Sequence, residues 1–158
     1  MTIEPDNISF RASGIIRFYL SKKAQLQAAK LVLISNNSTS IPIRSGTVNE
    51  YSLKSLGKFK LQADTTGPKI KTSIPVKKLK KVFKNQDHLS FVITDNLSGI
   101  GRYSVFINDK WVLAEYDAKS DLLTYFFDSD TPGGQLNVMV VVLDKVGNSS
   151  VYKLNLQR

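Results

Sequence analysis

The stretch TDNLSGIGRYSVFINDKWVLAEYD, residues 94–117, decides the fold of this chain. Residues 95–99 form a turn, because Asp, Asn, Ser and Gly all favour turn geometry. A strand is predicted over Ile100–Ile107, and Asn108-Asp109 then forms a two-residue hairpin, since both residues tolerate the positive φ of primed turns. A return strand is predicted over residues 110–116. Two strands joined this tightly predict the centre of a β-sandwich.

Further strands of similar length are predicted on both sides of this hairpin. With it they make seven, spaced at about 8–12 residues with turn signals between them. Residues 138–143 are apolar at every position and predict a strand at the centre of a sheet. The pattern predicts a seven-stranded immunoglobulin or fibronectin type III-like sandwich. Its strands are predicted at residues 69–74, 89–94, 100–107, 110–116, 122–127, 136–143 and 151–156.

The N-terminal part predicts a smaller β-domain, whole or partial. Its strands are predicted at residues 14–20, 31–34, 48–53 and 57–63, with a turn or one short helical turn in 21–29 and a polar loop at 35–40. The sequence DTTGP at 64–68 interrupts the pattern and marks the boundary. The chain is therefore expected to be all-β, with a small β-domain at 1–66 and an immunoglobulin-like sandwich at 67–158.

The net charge of +9, from 22 Lys and Arg against 13 Asp and Glu, favours anionic partners such as acidic glycans, lipid head groups or nucleic acid. A lysine-rich segment, residues 69–84, concentrates this charge, and its candidate binding residues are Lys77, Lys78, Lys80 and Lys81. A solvated connection is the preferred interpretation, and nucleic acid is not an expected partner. No apolar run reaches membrane-spanning length.

The residues for common catalytic chemistry are sparse. His88 is the only histidine and cysteine is absent, which disfavours a zinc site, since zinc is held mostly by those side chains. No nucleophile motif accompanies His88, so no triad is predicted. The chain is expected to be no enzyme and to hold no cofactor or metal, and Asp128–Gly134 is interpreted as a hairpin connection rather than a calcium loop. A pair of carboxylates could still form a glycosidase site, because sequence spacing does not reveal their separation.

Trp111, the only tryptophan, has two interpretations. It could be an exposed platform on which a sugar stacks, or a core residue beside Leu113. The core interpretation is favoured here, because a lone Trp in a sandwich usually packs against a neighbouring strand.

Several short strings together resemble a known family. They are D-x-L-S-G-I at 95–100, I-N-D-K-W at 107–111, E-Y-D at 115–117, L-D-x-x-G-N at 143–148, and the preceding LGKFKLQADTTGPKI at 56–70. The combination resembles the non-catalytic immunoglobulin-like region that accompanies lysostaphin-type zinc metallopeptidases of Gram-negative envelopes. Those enzymes hold zinc through several histidines, so with one histidine no ligand is carried over.

The resemblance implies an accessory module of an exported envelope protein, periplasmic or on the cell surface, with its signal sequence upstream. Its expected role is to position a peptidoglycan peptidase. The expected partner is a cell-wall polymer, another protein, or a catalytic domain of the same polypeptide. The alternative is a carbohydrate-binding or adhesin-type sandwich, which would place Trp111 on an exposed face.

Overall fold

The structure, a computed structural model, describes residues 9–35, 38–73 and 86–158. Most of the secondary structure in these residues is β-strand. These residues divide into two units. The N-terminal unit extends to Thr66 and includes Lys145–Gly147, and the C-terminal unit contains Gly67–Asp144 and Asn148–Arg158. The predicted all-β class is confirmed.

The N-terminal unit contains two antiparallel sheets. Strand β1 pairs with β4, and β2 lies between β3 and β5. The short helical turn predicted in 21–29 is confirmed: the hydroxyl of Ser21 caps a four-residue helix, and a 3-10 helix follows. The polar loop predicted at 35–40 is wrong in part, because Ser38–Ser40 pairs with β2 as an edge strand. The elements are β1 (Ser9–Tyr19), α1 (Lys22–Gln25), the 3-10 helix Ala28–Lys30, β2 (Leu31–Ser35), β3 (Ser38–Ser40), β4 (Val48–Ser55) and β5 (Phe59–Ala63).

A buried polar pair lies in the core of this unit. Tyr51 is fully buried, and its hydroxyl donates to the carbonyl of Leu31 at 2.9 Å. The side-chain amide of Asn49, also fully buried, donates to that hydroxyl at 3.0 Å and to the carbonyl of Ala28 at 2.7 Å. Its oxygen accepts from the backbone N–H of Gly46 at 3.2 Å. The two buried side chains thus form hydrogen bonds with one another and with three backbone groups.

The C-terminal unit is a sandwich of two antiparallel sheets with four strands each. One sheet has the order β10-β11-β7-β6, and the other has the order β13-β12-β8-β9. This is the immunoglobulin arrangement with one strand added at the edge of the second sheet. The strands are β6 (Lys69–Thr72), β7 (His88–Thr94), β8 (Ile100–Ile107), β9 (Lys110–Val112), β10 (Glu115–Asp117), β11 (Leu122–Phe126), β12 (Gln135–Asp144) and β13 (Ser149–Gln157).

The hairpin between β8 and β9 has the predicted geometry. Ile107 pairs with Lys110, and the two residues between them have φ values of 48° and 65°. Positive φ at both central residues is the signature of a type I′ turn, whose twist matches that of the flanking strands. The prediction of a tight two-residue connection is confirmed.

The single return strand predicted at 110–116 is wrong. The chain pairs with β8 only as far as Val112, then crosses to the other sheet and pairs with β11 from Glu115 onward. Ala114, at the crossing, is buried, whereas Leu113 is exposed. One predicted strand therefore becomes two short edge strands, so that eight strands are found in the described part of this unit instead of seven.

The core of the sandwich lies between its two sheets and is apolar. The predicted central position of the apolar strand is confirmed, since β12 lies between β13 and β8 and buries alternate side chains. The buried core residues of the opposite sheet come from β7 and β11. Burial of this kind stabilises the fold by about 25 cal/mol per Å² of apolar surface. Fully buried core side chains include Leu89, Phe91, Ile93, Val105, Leu123, Leu136, Val140 and Val142.

Candidate binding groove

Trp111 lies on the outer face of the sandwich, with 61% of its surface exposed. The register explains why. Val105 pairs with Val112 and packs into the core, so the neighbouring pair, Phe106 with Trp111, points to the opposite face. Paired residues share a face and successive residues alternate. The prediction that Trp111 is a buried core residue is therefore wrong.

Trp111 borders a groove with a volume of about 970 Å³. The groove lies on the side of the sandwich where the chain crosses from β9 to β10, and its lining comes from both sheets. Two further large apolar side chains of the lining are solvent-exposed: Leu113 at 71% and Phe126 at 53%. Its volume is in the range of small-ligand sites. Exposed apolar surface concentrated at a concave feature is typical of an interaction site.

The rim of the groove is acidic. Glu115, Asp128 and Asp130 line it, and all three are exposed, whereas Lys110 is the only cationic residue of the lining among the residues that the structure describes. The local charge of the groove is thus opposite in sign to the net charge of +9 carried by the chain.

Asp128 is held in place by hydrogen bonds. Its carboxylate oxygen Oδ1 accepts from the hydroxyl of Thr131 at 2.8 Å and from the N–H of Asp130 at 3.1 Å. The hydrogen bond from Thr131 is the main cause that holds the pKa of Asp128 below its ordinary value. Asp128 is therefore a fixed negative charge. The prediction that Asp128–Gly134 is a hairpin connection is wrong, because β11 and β12, which this segment joins, lie in different sheets.

Thr131 connects this rim to the core. Its buried hydroxyl lies 2.6 Å from that of Tyr125, and because it donates to Asp128, Tyr125 is the donor in this pair. The guanidinium of Arg158 donates to the carbonyl of Thr131 at 2.7 Å and lies 4.8 Å from the ring centroid of Phe127. The loop that carries Asp128 and Asp130 is thus held by hydrogen bonds to Tyr125 and to Arg158.

A smaller depression of about 420 Å³ lies on the other side of Trp111. Both depressions are lined by Trp111, Val112 and Leu113. Tyr103 contributes to the smaller one, and its ring centroid lies 5.6 Å from that of Tyr116. The charged residue of this lining is Arg102, so the two depressions differ in the sign of their charge.

The remaining candidate residues lie elsewhere. Lys77, Lys78, Lys80 and Lys81 are outside the described residues. His88 begins β7, as its sequence context predicts, and its Nδ1 lies 2.6 Å from the carboxylate of Asp87, which lowers the pKa of Asp87. It does not belong to the lining of the groove.

Sequence reasoning assigned only Trp111 of the groove lining to a site, and it did not find Leu113, Phe126, Asp128 or Asp130 there. Leu113 follows Trp111 by two residues, so the same alternation that turns Trp111 outward also predicts an exposed Leu113. The other three come from chain segments that only the tertiary fold brings beside β9.

The comparisons with known proteins find likenesses among solved structures. No protein-family model and no curated protein matches the chain. A solved structure of fibronectin(III)-like modules of CbhA from Clostridium thermocellum is similar to it, with 13% sequence identity and a TM-score of 0.45. The similarity covers 91% of this chain and 85% of that chain. Within the described ranges, we find no helix with the length and apolar character needed to span a membrane.

Proposed function

We propose that this chain is a non-catalytic binding module whose C-terminal sandwich holds a carbohydrate polymer in the groove beside Trp111. The observation that supports this most is the exposure of the indole, 61%, at the border of a concave surface. A pyranose ring stacks its C–H face on an aromatic side chain, while its hydroxyls find polar groups at the rim. Trp111 supplies the stacking surface, and the rim carboxylates supply acceptors.

The polymer in this proposal is a glycan of the bacterial cell wall. The support is the resemblance of the D-x-L-S-G-I and L-D-x-x-G-N strings to the accessory regions of lysostaphin-type peptidases. The module then belongs to an exported protein, in the periplasm or on the cell surface. By holding the glycan it positions a peptidoglycan peptidase, carried on the same polypeptide or on a partner, close to its substrate.

Asp128 does not fit the role of the protonated acid of a glycosidase. A glycosidase needs one carboxylic acid with a raised pKa, which protonates the leaving oxygen. The pKa of Asp128 moves in the opposite direction because Thr131 donates a hydrogen bond to it. We therefore assign Asp128 a role as an ionised acceptor, and purified protein should release no soluble fragments from peptidoglycan.

The proposal can be tested through the fluorescence of Trp111, because the chain contains no other tryptophan. Titration with N-acetylglucosamine oligomers and with soluble peptidoglycan fragments should shift or quench its emission in a saturable way. By calorimetry, Trp111→Ala should weaken binding by about tenfold or more, the usual cost of deleting an aromatic anchor. Trp111→Phe should retain part of the affinity, since a smaller ring still stacks.

Val151→Ala provides a matched control. Val151 is 55% exposed and lies in β13, at the opposite edge of the same sheet. It should bind like the original protein. Binding that is unchanged in Trp111→Ala, or absent for every glycan tested, would contradict the proposed function.

A further inference from the structure

We propose that the groove selects glycans with free amino groups, meaning amino sugars that have lost their N-acetyl group, over neutral and acidic glycans. This inference rests on the proposed function and specifies the ligand class of the same site. Its basis is that the lining combines exposed aromatic rings with an excess of carboxylates.

The carboxylates are placed to receive a cation. Within residues 9–35, 38–73 and 86–158, the lining sets Glu115, Asp128 and Asp130 against one ammonium, that of Lys110. Asp128 is also oriented in advance by Thr131 and by the N–H of Asp130. A carboxylate already fixed in one conformation loses less entropy when a ligand ammonium pairs with it. The charge of the lining is complementary to a sugar amine and repels a uronic acid.

The aromatic side chains favour the same ligand. Trp111 and Phe126 are both more than half exposed and border the groove. An ammonium close to the face of an aromatic ring is attracted by its quadrupole, and Trp is the strongest of the aromatic side chains in this respect. Aromatic rings together with carboxylates are the combination that recognises amines.

The smaller depression, which Trp111 also lines, predicts the orientation of a bound glycan. Its charged lining residue is Arg102, which repels an amine. A bound glycan is therefore expected to place an unsubstituted amino group on the Glu115 side of Trp111 and a neutral or acetylated sugar on the Arg102 side.

The net charge of the protein allows selective binding to be distinguished from nonspecific electrostatic attraction. At +9, the chain as a whole attracts anions at long range. Nonspecific attraction would rank an acidic oligosaccharide first and a cationic one last. Preference for a cationic oligosaccharide would therefore have to come from carboxylates within a few ångströms of the ligand, at distances where salt screens less.

The test compares three tetrasaccharides of equal length: glucosamine, N-acetylglucosamine and galacturonic acid. Binding is measured by Trp111 fluorescence at a mildly acidic pH, where amines are protonated and exposed carboxylates remain ionised. We expect glucosamine tetramer to bind about fivefold more tightly than the acetylated tetramer at low salt, and the galacturonic acid tetramer to bind weakest. Added salt should reduce the preference.

Glu115→Gln combined with Asp130→Asn removes the excess of carboxylates over Lys110 and should abolish the preference, so that the glucosamine and acetylated tetramers bind with similar affinity. Asp109→Asn is the matched control, because it removes an acid from the β8–β9 turn, outside the groove lining, and Asn tolerates the φ of 65° found there. It should keep the preference.

The outcomes separate the two proposals. Saturable binding of the acetylated tetramer with no preference for glucosamine, or a preference that survives the double substitution, would overturn this inference alone. Failure of all three tetrasaccharides to bind would overturn both the inference and the proposed function.

Discussion

The two units of this chain use different interiors. The core of the C-terminal sandwich consists of aliphatic and aromatic side chains from both of its sheets. The smaller core of the N-terminal unit includes Ile16, Leu33, Leu53 and Phe59, and beside them the hydrogen-bonded side chains Asn49 and Tyr51 are fully buried. A small unit has little apolar surface to bury, so each polar group inside it must be satisfied. The comparison teaches that both units bury polar side chains, but that in the smaller unit the pair Asn49 and Tyr51 lies beside a much smaller set of buried apolar residues.

The largest effect should come from a cavity in the sandwich. Phe91 is fully buried, and its ring packs edge-to-face against Tyr152 with centroids 6.0 Å apart. Phe91→Ala should lower the free energy of unfolding by about 3–5 kcal/mol, because it removes buried contacts and leaves a void. Urea unfolding followed by Trp111 fluorescence measures this unit directly. Phe126→Ala, the same deletion at an exposed position, is the control, and similar losses in the two variants would contradict the assignment of the core.

The next effect should come from the polar pair. Asn49→Ala removes three hydrogen bonds, two of which, to the carbonyl of Ala28 and to the hydroxyl of Tyr51, are buried. The expected cost is about 2–4 kcal/mol. Faster hydrogen exchange in peptides from β1 and β4 would reveal it. Asn155→Ala, at an exposed position of β13, should leave that exchange unchanged, and protection of β4 that survives Asn49→Ala would show that apolar packing suffices here.

A smaller, pH-dependent effect should come from Tyr51. Burial raises the pKa of its phenol above the ordinary value. The unfolded chain therefore releases this proton first, near about pH 10, and stability present below that pH is lost as the pH rises toward the folded-state pKa. Tyr51→Phe should cost about 1 kcal/mol at neutral pH, where the hydroxyl's hydrogen bond is lost. It should also flatten the decline of stability above about pH 10.

Urea unfolding at neutral pH and at about pH 10.5 tests this dependence. Tyr19→Phe is the control, since Tyr19 is 83% exposed. An equally steep decline in Tyr51→Phe would show that another group causes it.

The smallest effect on stability should be that of Trp111→Ala. A largely exposed side chain has few core contacts to lose, so the expected change is about 0.5 kcal/mol or less. Urea unfolding followed by circular dichroism, which does not require the indole, measures it. A loss of several kcal/mol would show that Trp111 is a core residue. The groove would then have no stacking surface.

Local chemistry explains what could be predicted from the sequence. The Asn108-Asp109 turn and the central strand β12 follow from residue types that have few alternatives at those positions. The crossing after Val112 could not be predicted, because residues 110–116 contain no Gly or Pro and favour strand throughout. The outward face of Trp111 depends on which side of β8 is buried. The groove could not be predicted because Asp128 and Asp130 meet β9 only in the folded chain.

The crossing from one sheet to the other also affects self-association. An uninterrupted strand over residues 110–116 would present a long row of unpaired backbone groups at the edge of a sheet, which is a template for intermolecular pairing. The crossing leaves two edges of three residues each, β9 and β10, in different sheets, and Lys110 puts a charge on the first. Edges this short offer little for a second chain to extend. The feature that opens a groove for a ligand thereby protects this side of the sandwich against aggregation.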